Sequence, residues 1–226
     1  DYVPGDVYLW PNLTGGEMID FLLKLNHQKH SAKTDALIKE FELDPKKKSR
    51  TYSKGNRQKV ALIAAFSTDA DLYIFDEPTS GLDPLMEEIF QKHVLALKQQ
   101  GKSVLLSSHI LSEVERMCDR IGIIRAGEIV ETGTLEEMRQ LTRTQITVET
   151  QVDVAPIAKL AGVHGFTADQ SVDNKATFAV DTAQVGAVMS DLAQRGIVTL
   201  QSTPPTLEDL FMRYYNTEGA EGHDTK

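Results

Sequence analysis

Two adjacent carboxylates at the end of a short apolar segment form the part of the sequence best suited to chemistry. The segment Leu72–Phe75 is typical of a buried strand, and Asp76 and Glu77 follow it directly. Ligands of open α/β sheets bind at the carboxyl ends of the strands. There, Asp76 can hold a magnesium ion, directly or through water, and Glu77 can orient and partly deprotonate an attacking water. The same pattern also fits a strand that is simply followed by an acidic turn.

Further residues, in three segments of the chain, carry groups that can bind a phosphate or fix the elements around it. A strand predicted at 103–107 leads to His109, whose imidazole can reach a γ-phosphate if this strand lies beside the acidic one. Alone, such a histidine is more often a capping or surface residue. Ser53 and Gly55 open a predicted helix, and the free N–H groups of a helix N-terminus bind anions. Asp83 ends a tight turn and is placed to cap the next helix.

Helices and strands alternate through the middle of the chain and would position these groups. Helices are predicted at about 55–66, 85–100 and 110–117, and strands at 72–75, 103–107, 120–125 and 128–132. This alternation predicts an α/β fold with a mainly parallel sheet that is covered by helices. Residues 1–12 look irregular. Two helices are predicted between Thr14 and Pro45, the first with a capping box formed by Thr14 and Glu17.

From Thr144 onward the pattern changes to the order β-α-β-β-α-β. Strands are predicted at 145–151, 165–170, 175–180 and 197–202, and helical segments at 154–160 and 183–195. This order suggests a small α+β domain of the ferredoxin-like type. It contains no catalytic pattern, and His164 has no other metal-ligating residue types around it at the spacing of a metal site.

Composition and charge narrow the class of protein. The formal net charge of −9 argues against a general affinity for nucleic acid, which usually needs a basic face. The single cysteine, Cys118, cannot form an internal disulfide, and this fits a reducing compartment. No apolar run approaches the roughly 18 residues that a membrane-spanning helix needs. Hydrophobic residues make up 41% of the chain, which is enough for a substantial buried core.

In their order and spacing, these segments together resemble the ATPase subunits of ABC transporters. Residues 53–58, with the sequence SKGNRQ, look like the signature motif that is usually written LSGGQ, and residues 73–77 look like the Walker B strand. Residues 80–83 resemble the D-loop, and His109 resembles the switch histidine.

The resemblance covers about residues 1–141 and implies a RecA-like P-loop NTPase core with an inserted helical subdomain. It also implies that ATP and Mg²⁺ are the ligands. Two subunits would pack head to tail, as a homodimer or a heterodimer, with each ATP between the P-loop of one and the signature of the other. Glu77 would act as general base, His109 would hold the γ-phosphate and Asp76 would serve magnesium. The nucleotide-binding residues implied by the signature and the D-loop are Ser53, Lys54, Gly55, Asn56 and Asp83, with Ser53 and Gly55 donating to the γ-phosphate of the partner's ATP.

The extension at 144–215 resembles that of bacterial multidrug and antibiotic exporters. This favours export through a separate polytopic membrane permease, energised by ATP-driven dimerisation at the cytoplasmic face of the plasma membrane. The domains expected on this basis are the Q-loop region and helical subdomain at 1–53, the C-terminal part of the ATPase core at 54–142, an α+β accessory domain at 143–215 and a disordered tail at 216–226. The accessory domain is expected to regulate or stabilise the dimer.

Three positions depart from the family pattern. Lys54 stands where the signature usually has its first glycine, and Asn56 replaces its glutamine. An added positive charge near a phosphate is compatible with function. Gly5 stands where the family has a magnesium-sensing glutamine, so either Asp6 substitutes for that side chain or the contact is absent.

The chain contains no G-x-x-x-x-G-K-[ST] sequence, the loop that cradles phosphates in P-loop proteins. In the family this loop precedes the position that Asp1 occupies. We therefore expect the chain to be part of a longer protein, to bind ATP poorly and not to hydrolyse it alone. In the family sheet the P-loop strand lies between the strand before His109 and the strand at 120–125, so we expect these two strands not to pair with each other.

Two other functions remain open. One is that of a soluble ABC ATPase acting on ribosomes or DNA, although such proteins usually carry two cassettes or long coiled-coil insertions. The other is that of a non-catalytic regulatory protein, and the intact Asp76, Glu77 and His109 argue against it. Trp10 lies in a polar loop, and in the family the cleft between this loop and the helical subdomain receives the membrane subunit.

Overall fold

The structure, a computed structural model, describes residues 1–140, 143–169, 171–172, 174–203 and 207–208. The chain divides into two compact units, Asp1–Met117 and Cys118–Lys226. The first unit contains strands β1 (Tyr2–Val3), β2 (Leu72–Asp76) and β3 (Ser103–Ser107) and helices α1 (Gly15–Leu25), α2 (Ala32–Glu40), α3 (Lys54–Ser67), α4 (Pro84–Gln99) and α5 (Leu111–Met117). The second contains β4 (Arg120–Arg125), β5 (Glu128–Thr134), α6 (Leu135–Gln140), β6 (Arg143–Thr150), β7 (Val163–Ala168), β8 (Lys175–Asp181), α7 (Val185–Gln194) and β9 (Ile197–Thr203).

A parallel three-stranded sheet forms the centre of the first unit. β2 lies between β1 and β3, with Val3 opposite Phe75 and Phe75 opposite Leu106. The predicted parallel sheet and its strands at 72–75 and 103–107 are thereby confirmed. The expectation that residues 1–12 are irregular is wrong at β1, because these two residues become a strand through pairing with a segment far along the chain.

Two helices of this unit begin at residues that satisfy their free N–H groups. At α1, the Thr14 hydroxyl accepts from the N–H of Glu17 at 3.2 Å, and the Glu17 carboxylate accepts from the N–H of Thr14 at 2.6 Å, which confirms the capping box. At α4, Asp83 Oδ1 accepts from the N–H of Met86 at 3.1 Å, and Pro84 takes the first helical position. The start of α4, directly after the acidic turn, is therefore fixed.

An aromatic cluster holds β2 against its covering helices. The ring of Phe66 on α3 lies 5.5 Å from that of Phe75 on β2 and 5.9 Å from that of Phe90 on α4, measured between centroids. All three side chains are buried, and such tilted ring pairs stabilise a core beyond their buried area. The carboxylates that follow Phe75 are thus attached to one of the most tightly packed parts of the unit.

The outer edge of β3 has no partner strand within the described ranges. β3 pairs with β2 alone, and Leu105 at its centre is 61% exposed. β4 pairs with β5 in a separate antiparallel sheet of two strands. The two strands expected to flank a P-loop strand are therefore not paired with each other.

The second unit contains the β4–β5 hairpin and a four-stranded antiparallel sheet in the order β7-β8-β6-β9. The sequence predicted these strands close to their observed positions. Helix α7 covers the side of the sheet that carries buried residues of β6 and β8. The buried core is formed by Ile146, Val148, Val154, Ile157, Ala176, Phe178, Val180, Val188 and Leu192. The helix expected at 154–160 is instead a short 3₁₀ helix, Ala155–Lys159, since a segment of five residues offers few i→i−4 hydrogen bonds to offset the cost of nucleating an α-helix.

The domain boundaries expected from the sequence remain predictions. The tail expected to be disordered at 216–226 lies outside the described residues. None of the helices that the structure describes is long and apolar enough to cross a membrane.

Candidate functional site

The two carboxylates are held in place by the end of the neighbouring strand. The N–H of Glu77 donates both to the carbonyl oxygen of Ser107, at 3.1 Å, and to its Oγ, at 3.2 Å. The same Ser107 hydroxyl donates to Asp76 Oδ1 at 2.5 Å. Glu77 has a φ of 45°, a left-handed conformation that is uncommon outside glycine. The strand end therefore turns sharply and directs two consecutive carboxylates out of the sheet.

His109 meets Glu77 at this edge of the sheet. Its Nδ1 lies 2.6 Å from Glu77 Oε2, while the imidazole side chain as a whole is 75% exposed. Because β2 and β3 are adjacent and parallel, their carboxyl ends lie at the same edge, and this brings together residues 32 positions apart in the chain. The structure thus unites Asp76, Glu77 and His109, as the sequence predicted for neighbouring strands.

A polar cleft of about 370 Å³ opens beside these three residues and is also lined by Gly5, Asp6, Lys54 and Ser80. The Lys54 ammonium donates to Ser80 Oγ at 2.9 Å and lies 3.4 Å from Asp6 Oδ1. The cleft therefore combines acidic groups with one ammonium group and an imidazole, a set of charges suited to a metal–phosphate ligand.

Gly5 lies against the acidic pair. A Cβ atom at this position would lie 3.3 Å from the carbonyl oxygen of Asp76 and 3.4 Å from Glu77 Cβ. A side chain here would therefore start at the floor of the cleft, where the family's glutamine was expected. In this chain the nearby Asp6 carboxylate faces Lys54.

The other residues implied by the signature and the D-loop support local structure. Ser53 is the N-cap of α3, and its Oγ accepts from the N–H of Asn56 at 3.3 Å. Gly55 packs so closely on the next loop that a Cβ would lie 2.2 Å from the carbonyl oxygen of Gly81. These three signature residues and the α4 cap, Asp83, do not line the cleft. Lys54 alone among the five lies in it.

Sequence reasoning missed several residues that organise the site. Ser107 binds the Asp76 carboxylate and the backbone N–H of Glu77, and its place directly before Ser108 and His109 at a strand end was the available signal. Glu113 on α5 was also missed. Only 3% of this residue is exposed in the fold. Burial raises the pKa of Glu113, the hydrogen bond from Thr79 opposes this, and the charge of Glu87 raises it further.

The donor atoms fit magnesium bound together with a nucleotide better than a metal site made of protein alone. Within the described ranges, no group of three or more His, Cys, Asp or Glu side chains is arranged to hold a metal ion. Magnesium is usually bound through one or two carboxylates together with substrate phosphates and water. Asp76, which lines the cleft, supplies a hard oxygen ligand of this kind.

Two family models match the chain. The AAA domain family, described as a putative AbiEii toxin of a type IV TA system, matches residues 18–115. The C-terminal domain of DrrA1-3-like ATP-binding proteins matches residues 133–215.

Curated relatives match with greater coverage. An uncharacterized ABC transporter ATP-binding protein of Alkalihalophilus pseudofirmus is 30% identical over 96% of this chain and 83% of its own length. The ABC transporter ATP-binding protein NatA of Bacillus subtilis is 36% identical over 62% of this chain and 59% of its own. An uncharacterized relative from Nostoc is 38% identical over 61% of this chain and 43% of its own. The chain thus spans about half the length of some of the curated relatives it matches.

Solved structures give the same fold. A structure described as the ATP-binding subunit of an ABC transporter is 33% identical, with a TM-score of 0.57 over 62% of this chain and 60% of that one. A dimeric ATP-binding cassette in a post-hydrolysis state, bound to ADP and Pi, is 23% identical, with a TM-score of 0.52 over 59% of this chain and 62% of that one. The RecA-like P-loop fold expected from the sequence is confirmed by these neighbours.

Proposed function

Since the chain belongs to the family of ABC transporter ATP-binding proteins, we propose that it serves as the ATP-hydrolysing subunit of a transporter. The observation that carries this proposal is the arrangement at the strand ends, where Glu77 lies 2.6 Å from His109 and directly follows Asp76. A carboxylate oriented by an imidazole at the mouth of a polar cleft is suited to activating a water.

The proposed reaction is the attack of a water molecule on the γ-phosphate of ATP, with cleavage of the bond between the γ-phosphorus and the β,γ-bridging oxygen and release of ADP and phosphate. Glu77 accepts the proton of this water, and the contact with His109 orients its carboxylate. In its imidazolium form, which has a proton on each nitrogen, His109 also donates from Nε2 to a γ-phosphate oxygen. A magnesium ion, when bound, would neutralise charge on the phosphate oxygens; Asp76 is the residue that would hold it, with its carboxylate oriented by the Ser107 hydroxyl. Catalysis of this kind depends mainly on positioning and charge stabilisation.

Each ATP is proposed to lie between two subunits, which form a homodimer or a heterodimer. The signature residues of one subunit then face the nucleotide of the other, and this accounts for Ser53, Gly55 and Asn56 lying outside the cleft of their own subunit. The α3 N-terminus supplies free N–H groups for a phosphate. Lys54 adds a positive charge, which a γ-phosphate can attract away from Asp6, and Asp83 lies at the same subunit junction.

A polytopic membrane permease is the proposed partner at the cytoplasmic face of the plasma membrane. An exposed aromatic residue supports a docking surface on the first unit: Trp10 is 56% exposed, and its ring lies 4.5 Å from that of the half-buried Phe21, between centroids. The proposal that the transporter exports a drug-like compound, and does not import one, rests on the resemblance of the C-terminal extension to those of drug exporters. Trp10→Ala is expected to abolish transport while sparing ATP hydrolysis; unchanged transport would remove Trp10 from the docking surface.

This chain alone is proposed to bind ATP weakly and not to hydrolyse it, because its sequence contains no P-loop to hold the α- and β-phosphates. The test compares two samples, the 226-residue chain and the product of the complete gene, for Mg²⁺-dependent ATP hydrolysis. Turnover by the gene product and none by the chain is the expected result. Equal turnover by both would contradict the need for a P-loop, and no turnover by the gene product would contradict the proposed activity.

A further inference from the structure

Glu113 is a buried carboxyl group in the first unit that the proposed reaction leaves without a role. Its Oε2 accepts hydrogen bonds from the hydroxyl of Thr79 at 3.1 Å and from that of Ser108 at 3.4 Å. Its Oε1 is buried and finds no hydrogen-bond partner in the part of the chain that the structure describes. Buried polar atoms are rarely left unpaired, so a group that keeps one commonly serves a purpose other than stability.

Thr79 lies at the centre of the acidic turn. The N–H of Ser80 donates to the carbonyl oxygen of Glu77 at 3.1 Å, and the N–H of Leu82 donates to that of Thr79 at 2.9 Å. Two overlapping turns thus carry the chain from Glu77 to the start of α4. The Thr79 side chain is almost fully buried, with 3% exposed, so its bond to Glu113 anchors the turn from below.

Ser108 anchors the loop on the other side of the site. It directly precedes His109, and its Oγ accepts from the N–H of Ile110 at 3.0 Å while it donates to Glu113. One carboxyl group is therefore bonded to both loops of the site. The first loop carries Glu77, and the second carries the histidine that contacts it.

We infer that Glu113 is a positioning residue that fixes the distance between Glu77 and His109 by joining the two loops that carry them. This inference rests on the proposed function and deepens it. Glu113 itself touches neither reacting atoms nor nucleotide.

Burial opposes a charge on Glu113. A buried carboxylate with one unpaired oxygen is costly, whereas the protonated group avoids most of this desolvation penalty. Burial raises the pKa of Glu113, and the carboxylates of Glu87 and Glu77 raise it further.

The first test measures steady-state ATP hydrolysis by the complete gene product. Glu113→Ala is expected to lower kcat by roughly 10- to 100-fold with little change in KM, since small displacements of catalytic groups cost that much. Glu113→Gln keeps the shape and the acceptor and is expected to retain most of the rate. Thr79→Val removes one bond without opening a cavity and is expected to behave like Glu113→Ala. Glu88→Ala, which changes an exposed carboxylate on α4, is the matched control and is expected to leave kcat unchanged.

The second test needs no turnover and uses this chain. The NMR signals of the His109 imidazole are expected to shift in Glu113→Ala and in Thr79→Val, but to stay near their wild-type positions in Glu113→Gln and in Glu88→Ala. If Glu113→Ala does not fold, Thr79→Val decides the matter alone.

Two results would overturn the inference. One is an unmoved His109 signal in Thr79→Val, and the other is a loss of ATP binding equal to the loss of kcat. If the wild-type gene product does not hydrolyse ATP, the proposed function fails, and the NMR result still decides the role of Glu113.

Discussion

Two histidine–carboxylate pairs, one in each unit, show how surroundings decide what the same residue types can do. In the first unit, His109 Nδ1 lies 2.6 Å from Glu77, and the imidazole stands 75% exposed at the mouth of a cleft. In the second unit, His164 Nε2 lies 3.0 Å from Asp181, which also accepts from the guanidinium of Arg143 at 2.8 Å. The first carboxylate faces space for a ligand, and the second is shared between two donors of its own sheet.

The backbone conformation of the carboxylate residue also differs between the two pairs. Glu77 has a left-handed φ of 45°. Asp181 has an extended backbone with a φ of −60°, and it ends β8, which pairs with β7 on one side and with β6 on the other. Departures from local structural rules tend to gather where a protein acts. We therefore propose a chemical role for the first pair and a structural role for the second.

The largest expected difference is in catalysis. In the complete gene product, His109→Ala is expected to lower kcat for ATP hydrolysis by roughly 100-fold, since the loss of one hydrogen-bond donor to the charge of the transition state costs on that order. His164→Ala removes the other imidazole and is expected to leave kcat unchanged. Steady-state ATPase assays of both variants check this. A similar loss of kcat in both variants, or no loss in either, would contradict the different roles proposed for His109 and His164.

A smaller effect concerns the packing around the cleft. Gly55→Ala is expected to destabilise the first unit by about 1–3 kcal/mol, the usual cost of overpacking, because the new methyl group would meet the carbonyl oxygen of Gly81 at 2.2 Å. Gly186→Ala on α7 meets no atom within 4 Å and is expected to stabilise the second unit by about 0.4–1 kcal/mol. Urea unfolding followed by residue-specific NMR signals of each unit measures both. Stabilisation by Gly55→Ala would show that the close packing at the signature is mistaken.

The smallest effect is a pH dependence in the second unit. The hydrogen bonds from His164 and Arg143 lower the pKa of Asp181, so the folded state favours the carboxylate. The resulting stability is present above the ordinary aspartate pKa of about 3.9 and is lost as the pH falls through the lowered value. Asp181→Asn should therefore show a shallower decline of the unfolding midpoint between about pH 5 and pH 2 than the wild type. An equal decline would mean that the pair contributes no measurable stability.

The local sequence was sufficient to predict the main helices and strands and the types of side chain at the site. Continuous apolar runs predicted β2 and β3, and Thr14 together with Glu17 predicted the start of α1. The order of these segments was enough to bring Asp76, Glu77 and His109 to one edge of the sheet. By contrast, β1 exists only through pairing with β2, and a two-residue strand has no pattern of its own.

The contacts that complete the site could not be predicted, because they join residues far apart in the chain. Thr79 and Glu113 are 34 residues apart, and their bond depends on how α5 packs beneath the acidic turn. The salt bridge of Lys54 with Asp6 likewise depends on tertiary folding. In the second unit, the shortness of the segment reduced an expected helix to the 3₁₀ helix Ala155–Lys159. Periodicity reveals which face of an element is buried, but not which polar group on another element will meet it.

In the proposed function, Glu77 is the general base of ATP hydrolysis. This role is tested by single-turnover ATP cleavage by the complete gene product carrying Glu77→Gln, with Asp181→Asn as the matched control. An amide cannot take the proton of the attacking water, so the cleavage rate is expected to fall by about 10³-fold, with ATP binding retained and the control unaffected. Cleavage by Glu77→Gln at the wild-type rate would show that Glu77 is not the base.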